Sequence, residues 1–298
     1  MNFLVIGHTV SDIINESGGQ RAQPGGIYYT ISALIAIKEN LDKIYLVSSI
    51  DDKNRHLFRK LYSGIESRYI KTVDEIPVVN LKIVEKKERE ECYLNVTDKV
   101  DLTELLRSDI EIDGILINMI TGTEIDSEDL MQLRKKFDIP IYFDLHTLSR
   151  GIDSSMRRYF RVVPDIESWL ENIDILQMNE NEMRSLGMGE EEFSIAERVF
   201  NYRPSVIIIT KGVKGSRIFM KTEHDFFSYY EPAVEVNSVN NVGCGDVFGA
   251  AFFYDYIKTG NVLESFRTAN RYGAVSTTYK NINDLINIKN DIDKFADQ

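Results

Sequence analysis

The residues best suited to chemistry lie in Gly243-Cys244-Gly245-Asp246, where two glycines bracket a small residue and an acid follows. An apolar, proline-free run from Val247 to Ile257 comes next and is long enough for a buried helix. Before it, Ala233-Val234-Glu235-Val236 alternates as a strand does. The join predicts a strand, a glycine-bearing turn and a helix N-terminus. Such a terminus offers an anion unpaired N–H groups and about half a positive charge. Asp246 beside it suits a base that takes the proton of a hydroxyl attacking a phosphate. On these residues alone, a plain loop with Asp246 as a helix cap reads as well.

The elements that must position this stretch repeat one pattern. Phe3-Leu4-Val5-Ile6 is a continuous apolar run ending at Gly7, as in a strand buried on both faces, and Asp12 lies just beyond it. Pro24-Gly25-Gly26 opens an apolar helix over Ile27 to Ile37. Strands are predicted at Lys43 to Ser49, Gly114 to Asn118, Pro140 to Asp144, Ile173 to Met178 and Ser205 to Thr210. Helices are predicted at Arg55 to Tyr62, Ser127 to Lys136 with Ser127 as N-cap, Ile166 to Asn172, Ile195 to Phe200 and Leu263 to Thr278. Ser216 to Met220 and Phe226 to Tyr230 read as a hairpin. This rhythm predicts an α/β fold with a doubly wound, mostly parallel sheet. Parallel strands put their C-terminal ends on one edge, so Asp12, Gly25, Gly26, Asp144, Asn179 with Glu182, Thr210-Lys211-Gly212 and Gly243 to Asp246 should converge there.

Two segments break the rhythm. Val78 to Val84 and Glu91 to Val96 flank the charged turn Glu85 to Glu90 with no helix between them, so they predict an antiparallel hairpin projecting over the active side. Gly18-Gly19 marks a turn, and Gln20 to Gln23 suits a short lid strand. No Pro/Gly-rich linker divides the chain, so one domain over residues 1–298 is expected.

Composition narrows the function. The 298 residues carry a net charge of −12, which disfavours general binding of nucleic acid or anionic membrane. Cys92 and Cys244 form no CxxC pair, which fits a reduced compartment without a disulfide framework or zinc site. The chain begins directly as a strand, without a charged leader, and no stretch reaches the ~18 apolar residues of a membrane span. A cytoplasmic protein is the expectation.

Taken together, these motifs resemble the ribokinase-like, or PfkB, carbohydrate kinases, and the resemblance covers nearly the whole chain. Gly243-Cys244-Gly245-Asp246 is similar to the family's Gly-Ala-Gly-Asp, Asn179-x-x-Glu182 to its Asn-x-x-Glu, and Thr210-Lys211-Gly212 with Gly215 to its Thr-x-Gly-x-x-Gly. Gly25-Gly26 matches the N-terminal Gly-Gly, and Asp12 the acid that holds substrate hydroxyls. The resemblance implies a three-layer α/β/α fold with a β-lid formed by about residues 13–23 and 78–96. It implies a phosphotransferase that uses ATP and Mg²⁺, with a monovalent cation such as K⁺ as a further candidate, and a small sugar, polyol or nucleoside as acceptor. Asp246 would be the base, and Gly243, Cys244, Gly245 and Asp246 the anion hole. Asp12, Gly25, Gly26, Tyr29 and His146 would face the acceptor. Asn179, Thr210, Lys211, Gly212, Gly215 and Asn270 would face the nucleotide. Glu182 would reach Mg²⁺ through water. Lid hairpins can pair between subunits, so a homodimer is a further expectation.

The chain departs from the pattern at Asn240-Asn241 (usually Asp-Thr), at Tyr29 (often Asn) and at Asp144-Leu145-His146 (commonly Asp-Pro-Asn). These departures keep a second class in view, a ligand-binding or regulatory protein of the same fold. Asp246 argues against it, because a pure binder needs no base there. A Rossmann dehydrogenase fails because no Gly-x-Gly-x-x-Gly follows the first strand. Arg150, Arg157, Arg158 and Arg161 read as a solvated helix face, with recognition of a charged substrate group as the alternative.

Overall fold

The structure, a computed structural model, describes residues 1–16, 19–82 and 90–295. Its strands are β1 (Asn2–Ile6), β2 (Thr9–Glu16), β3 (Gly19–Gly26), β4 (Lys43–Ile50), β5 (Ile70–Thr72), β6 (Val78–Lys82), β7 (Glu90–Asn95), β8 (Gly114–Asn118), β9 (Ile141–Asp144), β10 (Arg150–Ile152), β11 (Arg158–Phe160), β12 (Ile175–Asn179), β13 (Val206–Thr210), β14 (Ser216–Lys221) and β15 (Phe226–Glu231). Nine form one sheet in the order β15-β14-β13-β12-β9-β8-β1-β4-β5. All neighbours are parallel except β13–β14 and β14–β15. The chain starts in β1 and winds outward to either side of it. In open α/β sheets such a reversal of strand order opens a crevice at the carboxyl ends of the strands.

The central strands are mostly apolar because both of their faces are covered. Phe3 and Val5 of β1 point into one core with the helices Tyr28–Ile37, Cys244–Thr259 and Val262–Ser276. Leu4 and Ile6 point into the other, with Leu130 and Leu133 of the helix Ser127–Lys136 and Ile195 of the helix Glu192–Val199. This is the three-layer α/β/α arrangement. Gly273 lies where the helices Cys244–Thr259 and Val262–Ser276 pack, facing Phe248. Among the described residues, no helix is long and apolar enough to cross a membrane.

A second sheet, in the order β3-β2-β6-β7, stands over the carboxyl edge. Here β2 pairs antiparallel with β3 and parallel with β6, and β6 pairs antiparallel with β7. The expected hairpin is therefore present, and the lid is wider than expected, because β2 and β3 reach from Thr9 to Gly26. Gly18 of the expected Gly18-Gly19 turn, and Glu85 to Arg89 of the charged turn, lie outside the described residues.

Three local expectations are corrected. Residues 233–236 form no strand. The sheet already ends at β15, and just past the segment Val239 N–H and Asn240 N–H both donate to Thr277 O at a helix end. The helix Ser127–Lys136 is capped by Asp126, which accepts from Asp129 N–H in a reciprocal capping box, and not by Ser127. The arginine-rich segment is a hairpin, β10–β11, and not a helix face.

Phe253 is buried in the core between β1 and the helix layer, with ring contacts to Phe3 and Tyr142. Phe253→Ala should cost about 3–5 kcal/mol in urea unfolding. An unchanged midpoint and slope would contradict this packing.

Candidate active site

The helix Cys244–Thr259 starts from Gly243 in the left-handed conformation (φ 79°), which glycine adopts without a Cβ penalty. A side chain there is doubly excluded, because its Cβ would fall 2.0 Å from the ring of Tyr29. A Cβ on Gly245 would meet nothing within 4 Å, so the backbone at the helix start faces open space. Asp246, in the first turn, turns its carboxylate toward the sheet. Its Oδ1 accepts from Asn118 Nδ2 at 2.6 Å.

The lid closes over this point. One pocket is lined by Asp12 and Glu91 from the lid, by Tyr29 and His146, and by Gly243 and Asp246. Asp12 on β2 packs on Gly25, where a Cβ would lie 2.1 Å from its Oδ2. Tyr29 is therefore a pocket wall as well as packing, whereas Tyr28 turns away to Phe58 and Asn283. Gly26 lines the same pocket.

Beneath the pocket lies a buried polar chain. Gln177 Nε2 donates to Asp144 Oδ2 (2.9 Å) and to Gly245 O (3.2 Å), and Tyr142 O–H donates to Gln177 Oε1. The β9 strand end is thus tied to the anion-facing turn. Burial pushes the Asp144 carboxyl up to about 8, with the charge of His146 opposing and those of Glu182 and Asp246 adding to the rise.

Glu182 is held differently. Asn179 caps its turn, accepting from Asn181 N–H and Glu182 N–H, while Glu182 Oε2 accepts from Asn179 N–H at 2.8 Å. Its Oε1 faces His146 Nδ1 (3.3 Å) and Arg150 (3.4 Å). Burial works against its charge, but His146, Arg150 and the Asn179 N–H together hold the carboxyl below its ordinary value. Burial alone would lower His146, yet its hydrogen bond to Glu182 and that group's charge hold the imidazole above its usual range. His146 has φ 29°, a costly backbone conformation of the kind that clusters at functional sites. Both Glu182 oxygens thus have partners within the protein. Among the described residues, no group of three or more His, Cys, Asp or Glu side chains is placed to hold a metal.

On the far side, β12 and β13 set Asn179 beside Thr210. Lys211 is paired with Glu192 and with Glu180 (3.4 Å), and Lys214 with Glu180 (3.2 Å). Gly212 has open space where a Cβ would be, whereas Gly215 is pressed against Glu231 O. At Asn270, Nδ2 donates to Pro232 O (2.7 Å) and Oδ1 accepts from Ser216 (3.0 Å). It ties a helix to a strand end.

Three site residues were missed in the sequence. Glu91 stands two positions from buried Tyr93 on one face of β7, a period-two signal that points it into the pocket. Gln177 is a buried polar residue inside the apolar run Ile-Leu-Gln-Met, which demands a partner. Asn118 ends a wholly buried strand. The hairpin arginines brace the lid: Arg150 bridges Glu91 (3.7 Å) to Glu182, and Arg158 stacks 4.2 Å over the Tyr93 ring.

The family model described as pfkB family carbohydrate kinase matches residues 143–288, a span that holds Asn179, Glu182, Thr210 to Gly215 and Gly243 to Asp246. An ATP-dependent ribose-1-phosphate kinase of Halopiger xanaduensis is 28% identical over 103 residues, which is 35% of this chain and 32% of that protein's length. The match therefore spans about a third of the curated relative. Ribokinase of Arabidopsis thaliana, solved with ribose and ATP, superposes with a TM-score of 0.76 at 16% identity, covering 98% of this chain and 97% of that one. Aminoimidazole riboside kinase of Salmonella enterica, solved with aminoimidazole riboside and an ATP analogue, gives 0.74 at 17% identity, covering 99% of each chain. The two solved structures establish a ribokinase-like fold.

The raised Asp144 group makes stability depend on pH. The folded state keeps a proton that the unfolded chain releases above its ordinary value of 3.8, so this group's contribution falls as pH rises from there to about 8 and is level beyond. The thermal midpoint of Asp144→Asn relative to wild type should therefore climb between those limits. A difference that does not vary with pH would contradict the assignment.

Proposed function

We propose that this chain, matched over residues 143–288 by the pfkB family carbohydrate kinase model, transfers the terminal phosphoryl group of ATP to a hydroxyl of a small, uncharged sugar, polyol or nucleoside. The observation that carries this reading is the placement of Asp246 at a helix N-terminus inside a lidded pocket. Asp246 takes the proton of the acceptor hydroxyl as the new O–P bond forms and the bond to the ADP oxygen breaks. The N–H groups at the start of the helix Cys244–Thr259 face the transferring oxygens and need no reorganisation as charge develops. Asp12 and Glu91 accept hydrogen bonds from hydroxyls that do not react, fixing which one meets Asp246. The lid keeps water away from the phosphoryl group. The loop Thr210 to Gly215 lies on the nucleotide side. Glu182 would hold Mg²⁺ through water, and the ion would supply positive charge to the nucleotide phosphates. A monovalent cation is not part of the proposal.

The acceptor's charge follows from the pocket. Among its described lining residues are the acids Asp12, Glu91 and Asp246, and no lysine or arginine. A phosphorylated acceptor would meet like charge, which costs several kcal/mol. The relative named as a ribose-1-phosphate kinase aligns over only 35% of the chain, and its acceptor is not carried over.

ADP release with Mg²⁺-ATP, measured over sugars, nucleosides and polyols, tests the reading. At least one acceptor should turn over, and Asp246→Asn should lower its rate by about 10²–10⁴. Ligand binding without turnover across the panel would favour the binding-protein reading. In the same assay, the neutral acceptor should exceed its phosphate ester by at least about 10² in kcat/KM. Preference for the ester would overturn the charge argument.

A further inference from the structure

We propose that Asn118 is the positioning residue of Asp246: its side-chain amide fixes the plane of the carboxylate and sustains its ionised form. The proposal deepens the reading of Asp246 as base and rests on it. Asn118 ends β8 in the middle of the sheet and is 1% exposed. Its Nδ2 has two hydrogens and two acceptors, Asp246 Oδ1 at 2.6 Å and Thr30 Oγ1 at 3.2 Å. Thr30 is fully buried on the helix that follows Gly25-Gly26. One nitrogen therefore ties together the central strand, the helix of the Gly-Gly turn and the helix that carries the base.

The other end of the amide shows what sets its orientation. Asn118 Oδ1 is buried and has no hydrogen-bond partner among the described residues. A flipped amide would leave Asp246 facing a carbonyl oxygen. Leaving a buried carbonyl oxygen unsatisfied is unfavourable, and the hydrogen bond to a carboxylate is of the stronger, charge-assisted kind. The side chain thus keeps its donor end on Asp246 at the expense of its acceptor end. Purely structural packing would not demand that arrangement.

The charged surroundings define the effect. Asp144 and Tyr142 on β9 both feel the charge of Asp246, and Asp12, Glu91 and His146 share its pocket. The acids oppose ionisation of Asp246, while a donor bonded to its charged form favours it. Without Asn118, Asp246 should hold its proton to higher pH and lose its fixed rotamer.

The test is a carboxylate ¹³C NMR titration of ¹³C-aspartate-labelled protein, with the Asp246 signal assigned by its loss in Asp246→Asn. In Asn118→Leu, of similar volume and with no donor, the Asp246 midpoint should rise by about one pH unit or more. Asn118→Ala, which also lacks a donor, provides the same comparison if the leucine variant does not fold. With a turned-over acceptor, the acid limb of kcat should move up by the same amount while KM stays near its wild-type value. Because the titration needs no turnover, an inactive wild type would sink the kinase reading and leave the bond to Asn118 still measured. An Asp246 midpoint that is the same in wild type and in the folded variant would overturn the proposal.

Discussion

Repulsion among acids gathered at one end of the sheet is the constraint on which the rest of the site depends. Asp12, Asp144, Glu182 and Asp246 all lie at the carboxyl edge, and all but Asp246 are at least nine-tenths buried. Three of them are accommodated by different devices. Asp144 keeps a proton to about pH 8. Glu182 is matched by His146, Arg150 and a backbone N–H. Asp246 is given the positive end of a 16-residue helix and an amide donor. The last arrangement sets a carboxylate in the pocket beside a helix N-terminus, the placement that a base for hydroxyl attack needs.

The larger architecture serves that edge. Parallel strands bring β1, β8, β9, β12 and β13 to an end together, and two helix layers bury both faces of the sheet so that only the edges meet solvent. The lid strands leave the sheet at Thr9 and return after Asn95, and the hairpin β10–β11 holds them from the side through Arg150 and Arg158. The Arg150 guanidinium bridges Glu91 of the lid to Glu182 of the floor.

Much of this was legible in the sequence, for reasons tied to particular residues. Phe3 to Ile6 and Val206 to Thr210 are apolar without alternation because both of their faces are buried, so strand type and sheet class followed from composition. Gly243 and Asp246 stood out only as the last of a series of polar strand ends, because alone the stretch reads equally as a capped loop. Ala233 to Val236 misled because alternation describes a half-buried face and not the presence of a neighbouring strand. The hairpin at Arg150 to Phe160 was hidden because its arginines are satisfied by tertiary partners, Glu91, Glu182 and the rings of Phe160 and Tyr93. Asn118 and Asp246 are 128 residues apart, and no local spacing encodes a bond between them.

The central claim is that this edge directs a phosphoryl group to an acceptor hydroxyl and not to water. The most direct measurement is ³¹P NMR of the products formed from Mg²⁺-ATP with neutral acceptors. The account predicts a phosphomonoester resonance that grows one for one with ADP and appears only when an acceptor is present. Inorganic phosphate as the sole new product, with or without acceptor, would contradict it.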